Sequence, residues 1–201
     1  MMVLLFGSAT MHKDPIITYN AKSYKVWYDV EKHVPVLVVW KMSKSGGDCS
    51  RTQMIFKAGA GTATRKDYWG SNYDQGHMVS AEDFAYDCNL MSETFSYYNC
   101  APQTPELNRG IWKTYENKTR ATVKNDSVLV ACGTIYRKVK IKQIGTISIP
   151  TSYWKVVQSL KTGQIYFAGT FTNTKHAKLN MVDTTYLQKI SAVRIPFKKF
   201  K

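Results

Sequence analysis

Two groups of polar residues in the middle of the chain combine side chains that can carry out acid–base and metal chemistry. The first is the run 74–77, with the sequence DQGH, in which a histidine follows a glycine that permits a tight backbone turn. The second comprises Asn108, Glu116 and Arg120, which share one face if this segment is helical. Histidine takes up a proton near neutral pH, and amide, carboxylate and guanidinium groups can bind a cation and offset negative charge. The combination suits phosphodiester hydrolysis, which needs an activated water, a cation at the phosphate and a stabilised leaving oxygen.

The helix that would carry the second group has a clear start in the sequence. Thr104 is a good N-cap, Pro105 suits the first helical position, and Glu106 places an acid at the positive end of the helix dipole. The helix is predicted to run to about Arg120, with Trp112 in the same four-residue stripe. The alternative is an ordinary amphipathic helix, in which a Glu–Arg pair four residues apart contributes roughly a few tenths of a kcal/mol.

The formal net charge of +14 is unevenly distributed along the 201 residues. Residues 74–100 contain 5 acidic and no basic side chains, whereas residues 101–201 contain 18 basic and 4 acidic ones. Such a basic excess attracts polyanions, because neutralising phosphates releases their counterions. The alternative is that the lysines only keep the protein soluble.

Length and composition predict one folded domain over residues 1–201, with residues 1–15 as a loosely held tail. Runs rich in β-branched and aromatic residues predict strands, and residues 43–66 are predicted to be a loop. Many strands and a few helices that do not alternate regularly indicate an α+β fold, with a central antiparallel-rich sheet and flanking helices. The predicted strands cover residues 24–28, 36–40, 94–98, 127–136, 146–149, 153–157 and 164–171, and the predicted helices cover residues 81–87, 104–120 and 183–191.

The four cysteines, Cys49, Cys88, Cys100 and Cys132, are widely spaced and include no Cys-x-x-Cys pair. This spacing argues against a zinc ribbon and against a thioredoxin-type redox site. Buried thiols are the favoured interpretation, and a disulfide pair is the alternative if the protein is exported.

The hydrophobic runs of the chain are short. Residues 3–6 are the only apolar run in the first ten residues, which is too short for the core of a signal peptide. No segment approaches the length of about 18 apolar residues that a membrane-spanning helix needs. We therefore expect a soluble protein with no membrane partner, and the sequence leaves its compartment open between secreted and intracellular.

Four segments with fixed spacing match the motifs of a known family. They are residues 74–77 (DQGH), 99–103 (NCAPQ), 108–112 (NRGIW) and 116–120 (ENKTR). These segments resemble the DNA/RNA non-specific endonucleases, a family that includes the Serratia-type nuclease and endonuclease G. Residues 130–133 and 149–157 are similar to later strands of the family, so the resemblance covers about residues 20–197. It implies a ββα-metal (His-Me finger) active site and a metal-dependent nuclease that cleaves DNA and RNA internally with little sequence specificity.

The resemblance also implies a role for individual residues. His77 would be the general base that deprotonates the attacking water. Asn108 would be the single direct protein ligand of a Mg²⁺ ion, with Mn²⁺ as a substitute, and Glu116 would hold water in the ion's hydration shell. Arg120 would offset phosphate charge in the transition state, and Asn99 would position the site.

Three further residues have roles that follow from the same resemblance. Asp74 would orient the turn that bears the histidine, and Arg51 would bind a substrate phosphate. Gln75 departs from the family pattern, which has arginine at this position. An amide replaces a charge-assisted contact only in part, so substrate binding is expected to differ there. The implied partners are DNA and RNA as substrates, and the resemblance also allows a homodimer.

Two other functions compete with the endonuclease. One is a catalytically silent nucleic-acid-binding protein on the same fold, whose activity was lost with the arginine that Gln75 replaces. The other is a zinc protein that uses His77 together with some of the cysteines, although their spacing is poor for this metal. The intact set of histidine, amide and carboxylate favours the endonuclease.

Overall fold

The computed structural model describes residues 15–137 and 140–197, so the predicted tail lies outside the described residues except for Pro15. Its largest element is a seven-stranded antiparallel sheet with the order β1-β2-β3-β6-β9-β10-β11. Two two-stranded sheets, β4–β5 and β7–β8, complete the β structure of the described part. The strands are β1 (Ile16–Asn20), β2 (Tyr24–Asp29), β3 (Val34–Met42), β4 (Asp74–His77), β5 (Cys100–Gln103), β6 (Val128–Ile135), β7 (Gln143–Ile144), β8 (Ile147–Ser148), β9 (Ser152–Ser159), β10 (Ile165–Thr172) and β11 (Leu179–Met181).

The central strands are buried on both faces. Successive side chains of a strand point to opposite sides of the sheet, and each side is covered by a hydrophobic cluster. In β9, Tyr153 and Val157 belong to the larger hydrophobic cluster, which also contains the aromatic residues around β4 and β5. Trp154 and Val156 belong to a smaller cluster on the opposite face, together with Leu187 of the C-terminal helix. The sheet is therefore covered on both sides, and the candidate catalytic residues all lie on the side of the larger cluster.

Within residues 15–137 and 140–197, three α-helices flank the sheet: α1 (Cys88–Glu93), α2 (Lys113–Val123) and α3 (Thr184–Ile190). The predicted α+β class with a large antiparallel sheet is thus confirmed. Asp183 caps α3 as predicted, because its carboxylate accepts a hydrogen bond from the Tyr186 amide at 2.7 Å. In the described part of the chain, no helix has the length and apolar character needed to cross a membrane.

The helix predicted over residues 104–120 starts as expected but contains an irregular turn. Thr104 accepts a hydrogen bond from the Leu107 amide at 3.3 Å, and the helix begins at Pro105. Residues Leu107–Trp112 form a π-helical turn that is kinked at Gly110 (φ −103°, ψ −111°) before α2 continues to Val123. Such π turns are rare and frequently occur at functional sites.

The segment between β4 and β5 differs most from the prediction. Residues 94–98 do not form a strand; Ser96 makes a single bridge to Lys57, and Tyr97–Asn99 form a 3₁₀ turn. The Ser96 hydroxyl accepts a hydrogen bond from the Tyr98 amide at 3.3 Å, and this local bond competes with a strand ladder. The helix predicted at 81–87 is a 3₁₀ turn, Ala81–Phe84, followed by α1.

Two of the four cysteines form a disulfide bond, so the favoured interpretation of four buried thiols is wrong for this pair. Cys49 and Cys88 are bonded with a Cα–Cα distance of 5.4 Å, whereas Cys100 and Cys132 are buried thiols as predicted. The bond links the loop at residues 43–66 to the start of α1. It therefore restrains the part of the loop that carries Arg51 toward the candidate site.

Candidate active site

An open cleft of about 750 Å³ lies between β4, the loop at residues 43–66 and one face of the helix that follows β5. It brings together residues that are up to 69 positions apart in the sequence. Of the eight residues predicted for the site, Asn99 alone does not line the cleft. The other seven do: Arg51, Asp74, Gln75, His77, Asn108, Glu116 and Arg120.

His77 ends β4 and packs against two aromatic rings that also contact each other. The ring centroids of Phe56 and Phe95 are 4.6 Å and 4.7 Å from the centroid of its imidazole. Its Nε2 is buried and has no hydrogen-bond partner among the described residues. Burial, and secondarily the nearby charge of Arg51, lower the pKa of His77 to about 3. The imidazole is therefore uncharged at neutral pH.

The conformation of β4 depends on the glycine that precedes this histidine. Gly76 lies opposite Ala101 in the β4–β5 ladder. A Cβ atom on Gly76 would approach the Oε1 atom of Gln103 to 2.4 Å, a separation that side chains do not tolerate. Glycine thus allows β5 to pack closely against the histidine-bearing strand.

Asn99 lies in the core and does not line the cleft. It is fully buried, and its Oδ1 accepts a hydrogen bond from the Val79 amide at 2.8 Å. Its Nδ2 donates to the carbonyl oxygens of Val79 and Thr94, each at 2.9 Å. Because Val79 is two residues after His77, these bonds hold the chain that leaves β4 in place.

The side chain of Asp74 contacts Asn108 and Arg109, and its predicted role in orienting the histidine turn stays a prediction. Its Oδ2 accepts hydrogen bonds from Asn108 Nδ2 and from Arg109 Nε, both at 2.9 Å, and its Oδ1 pairs with Arg109 Nη2 at 2.6 Å. Burial acts against ionisation, but the hydrogen bonds from Arg109 and Asn108 lower the pKa of Asp74. With Nδ2 turned to this carboxylate, the Oδ1 of Asn108 stays available as a ligand.

The four-residue stripe predicted for the helix is divided between the cleft and the core. Trp112 is fully buried and makes edge contacts with Tyr153 and Phe171, at centroid distances of 5.7 Å and 5.1 Å. Asn108 and Glu116 remain on the cleft side. The indole of Trp112 is also one of the groups that act to lower the pKa of Glu116, so the two side chains still interact.

A network of buried charges lies beneath the cleft. Arg120 Nη1 donates to Asp83 Oδ1 at 2.8 Å and to the Ser80 hydroxyl at 3.2 Å. Lys155 is 1% exposed, and its Nζ lies 3.9 Å from the ring centroid of Trp112. Arg120 is thus partly neutralised by a carboxylate before any phosphate arrives.

Glu116 belongs to the same network through its electrostatic environment. Burial raises the pKa of Glu116, and the cations of Lys155 and Arg120 oppose that effect. Burial likewise raises the pKa of Asp83, with Arg120 as the main opposing charge. Two carboxylates and two cations therefore balance each other under the cleft.

Comparison with known proteins identifies the family. A sequence profile described as DNA/RNA non-specific endonuclease matches residues 8–195. The chain belongs to the DNA/RNA non-specific endonuclease family. It is similar to mitochondrial endonuclease G of Bos taurus (29% identity over 154 residues, 67% of this chain and 52% of the relative). It is also similar to mitochondrial nuclease EXOG of Xenopus laevis (29% identity, 74% of this chain and 50% of the relative) and to a nuclease of Nostoc sp. (27% identity, 79% and 60%). The chain thus spans about half to three fifths of the length of these relatives.

A solved structure has the same fold as this endonuclease-family chain. It is a chain from the crystal structure of the EndoG/EndoGI complex, with a TM-score of 0.76 and 21% sequence identity. The similarity covers 92% of this chain and 86% of that chain.

Sequence reasoning missed several residues that shape the site of this family member. Arg109 was noted only as part of a motif, and the rings of Phe56 and Phe95 lie outside the segments that were given a role. Lys155 had a detectable signal, because a lysine stands in the middle of the apolar run 153–157. A charged side chain on a strand that is buried on both faces needs a partner, and the partners lie under the cleft.

Gln75, which departs from the family pattern, lines the cleft and also contacts the core. Its Nε2 donates a hydrogen bond to the Tyr97 hydroxyl at 3.1 Å. The side chain is half-buried, and it projects from the same strand as His77. The predicted phosphate contact therefore has to compete with an existing hydrogen bond.

We expect Gln75→Arg to strengthen binding of nucleic acid, because it adds a cation within the cleft. The dependence of log K on log[salt] should steepen by about 0.7 to 0.9. Salt-dependent binding and thermal unfolding are to be measured on the same variant. A lower melting temperature with an unchanged salt slope would show that residue 75 faces the core and not the phosphate.

Proposed function

We propose that this chain is a metal-dependent endonuclease that hydrolyses phosphodiester bonds in DNA and RNA with little sequence specificity. One observation carries the proposal: an uncharged, unpartnered imidazole and an oriented amide line the same cleft among basic side chains. Membership of the family and the nuclease names of the relatives support the reaction class.

His77 would act as the general base on water. Its neutral form dominates at neutral pH, because burial lowers its pKa to about 3. Since Nε2 is screened from solvent, Nδ1 would accept the proton from a water molecule in the cleft. The contacts with Phe56 and Phe95 would hold the ring in one orientation during this transfer.

The residues around Asn108 fit a Mg²⁺ ion that keeps most of its hydration shell. Within the two described ranges, no group of three or more His, Cys, Asp or Glu side chains could hold a metal. A single amide oxygen, fixed by Asp74, is a donor set that suits hydrated Mg²⁺ and also Mn²⁺. When bound there, the ion supplies positive charge at the phosphate and at the leaving 3′ oxygen. Glu116 would accept a hydrogen bond from water beside the ion.

Cationic side chains around the cleft would bind the substrate phosphate. Arg51 lies above the Phe95 ring, at 5.7 Å from its centroid, and Arg109 and Lys113 are exposed at the opposite wall. A phosphate paired with Arg51 would cancel one of the two effects that lower the pKa of His77. Substrate binding would thus make the base stronger, while Arg120 would stabilise charge that develops later.

Of the competing functions, the zinc protein lacks a ligand set among the described residues. Two cysteines are joined in a disulfide, and burial raises the pKa of Cys100 and of Cys132 to about 12, which disfavours the thiolate that zinc requires. The catalytically silent binder is kept as a second candidate because Gln75 replaces a cation. The homodimer stays a prediction.

An assay on circular DNA tests the proposed function. The purified chain should linearise and then degrade a circular plasmid, and should degrade RNA, when Mg²⁺ or Mn²⁺ is supplied. EDTA should stop both reactions, and adding excess Mg²⁺ should restore them. Binding of the plasmid without cleavage in every metal would instead support the catalytically silent binder.

A further inference from the structure

A second groove of about 590 Å³ adjoins the cleft. Glu82, Asn117 and Arg120 line both, so the two form one continuous depression. Beyond these shared residues, the groove is bounded by the loop at residues 43–46, by the C-terminal turn of α2 and by Lys124 just after it. Apart from Arg120, no residue with a role described above lines this groove.

One face of the helix runs through both the cleft and the groove. Lys113, Asn117, Arg120 and Lys124 follow each other in steps of four, three and four residues, which is the spacing of a single α-helical face. All four residues line one or both of the two depressions. At about 1.5 Å per residue, this row is about 16 Å long. Three of its four members are cations, so it forms a basic ridge, and Arg109 lies before it, across the kink at Gly110.

The opposite wall of the groove also carries a cation. Lys44 is exposed, and its Nζ lies 4.0 Å from the ring centroid of Tyr86. The loop is held by a hydrogen bond from the Gly46 amide to the Glu82 carbonyl at 3.0 Å. Gly47 (φ 136°) allows the loop to pack closely against the backbone of Ala85, since a Cβ atom at residue 47 would lie 2.2 Å from the carbonyl oxygen of Ala85.

The lining of the groove indicates what it can bind. Apart from its charged groups, its side chains are small or polar, and the described residues contribute no aromatic ring to it. A surface of this kind can contact a sugar–phosphate backbone but offers little for recognising a base. Glu82, the one acid of the lining, lies at the junction with the cleft, across from the ridge.

We propose that this groove binds the backbone of the substrate strand on one side of the scissile phosphate, with Lys124 and Lys44 contacting successive phosphates. The proposal rests on the proposed function and extends it to the length of strand that the protein recognises. A ridge of about 16 Å is far longer than one phosphodiester and matches about five phosphates of a duplex strand, at about 3.4 Å each along the duplex axis. Contacts to backbone alone also agree with cleavage that ignores sequence.

The test compares a long and a short substrate on a double variant, Lys44→Gln with Lys124→Gln. Binding of a single strand of about 30 nucleotides, measured in EDTA, should lose about 1.4 from its salt slope, or about 0.7 for each phosphate contact. Cleavage of a dinucleotide in Mg²⁺, which occupies the cleft alone, should be unchanged. The matched control, Lys161→Gln with Lys189→Gln, removes two exposed lysines that line neither depression and should leave the slope unchanged.

Three results would overturn the inference. The first is an unchanged salt slope in the groove variant, and the second is an equal loss of salt slope in the control variant. The third is a loss of dinucleotide cleavage by the groove variant as large as its loss on the long strand. Both lysines of the groove are exposed, so the melting temperature should not change. If the unaltered protein cleaves neither substrate, the proposed function fails, and the slopes in EDTA still decide whether the groove binds the strand.

Discussion

Replacing His77 with alanine should reduce the cleavage rate by about 10²–10⁴-fold, because a positioned general base contributes about this much. Substrate affinity in EDTA should be nearly unchanged, since His77 is uncharged and contributes no phosphate contact. The rate of plasmid cleavage and the binding of an oligonucleotide are to be measured on the same preparation. The control is His176→Ala, which removes an exposed histidine outside the cleft.

The pH profile adds a second readout for the same histidine. The neutral imidazole is the active form, so activity is lost as the pH falls through the pKa of His77. Because burial lowers that pKa to about 3, the acid limb of kcat/KM should lie well below the ordinary histidine value of 6.5. Arg51→Gln should move the limb upward, since Arg51 is the second cause of the shift.

The free energy of unfolding depends on pH through the difference between the pKa of His77 in the folded and in the unfolded chain. The unfolded chain takes up a proton on His77 near pH 6.5, whereas the folded protein does so only near pH 3. The folded state therefore loses stability as the pH falls from 6.5 toward 3, and His77→Ala should show a smaller loss over this range. Cleavage by His77→Ala at the rate of the unaltered protein would contradict the role of this residue as the base.

Asn108→Ala should abolish cleavage, and raising the concentration of Mg²⁺ should not restore it, because the variant lacks the direct ligand. Glu116→Ala should instead lower the apparent affinity for the metal by about 10–100-fold, and higher Mg²⁺ should partly restore its activity. Binding of Mn²⁺ to the protein without substrate, measured by calorimetry, gives a readout independent of turnover.

The comparison needs a control for the loss of an amide from this part of the protein. Asn125→Ala serves, because Asn125 is exposed just beyond the end of α2 and lines neither depression. It should leave both cleavage and Mn²⁺ binding unchanged. Equal effects of Asn108→Ala and Glu116→Ala that do not respond to metal concentration would contradict the division of roles between the two residues.

The sequence alone identified those residues of the cleft that lie in short, recognisable sequence patterns. The DQGH run and the capped helix place His77 and Asn108 on elements whose start and direction depend on near neighbours. Runs rich in β-branched and aromatic residues likewise predicted most strands of the central sheet, because such side chains pack well on a buried pleated surface. Spacing and capping are properties of a short segment, so they can be read without knowing what lies across the fold.

Only the tertiary structure decided how these residues are used. Trp112 is buried among aromatic rings while Asn108 and Glu116 line the cleft, and Asp74 accepts a hydrogen bond from Asn108 because β4 and the helix meet there. The low pKa of His77 likewise arises from burial and from the charge of Arg51.

Long-range contacts also paired residues that no local pattern connects. Cys49 is bonded to Cys88, 39 residues away, and the charge of Lys155 on β9 acts on Glu116 of α2. Burial, charge pairing and disulfide bonding depend on distances between segments far apart in the chain. Local propensity carries no information about those distances, whereas packing sets all of them at once.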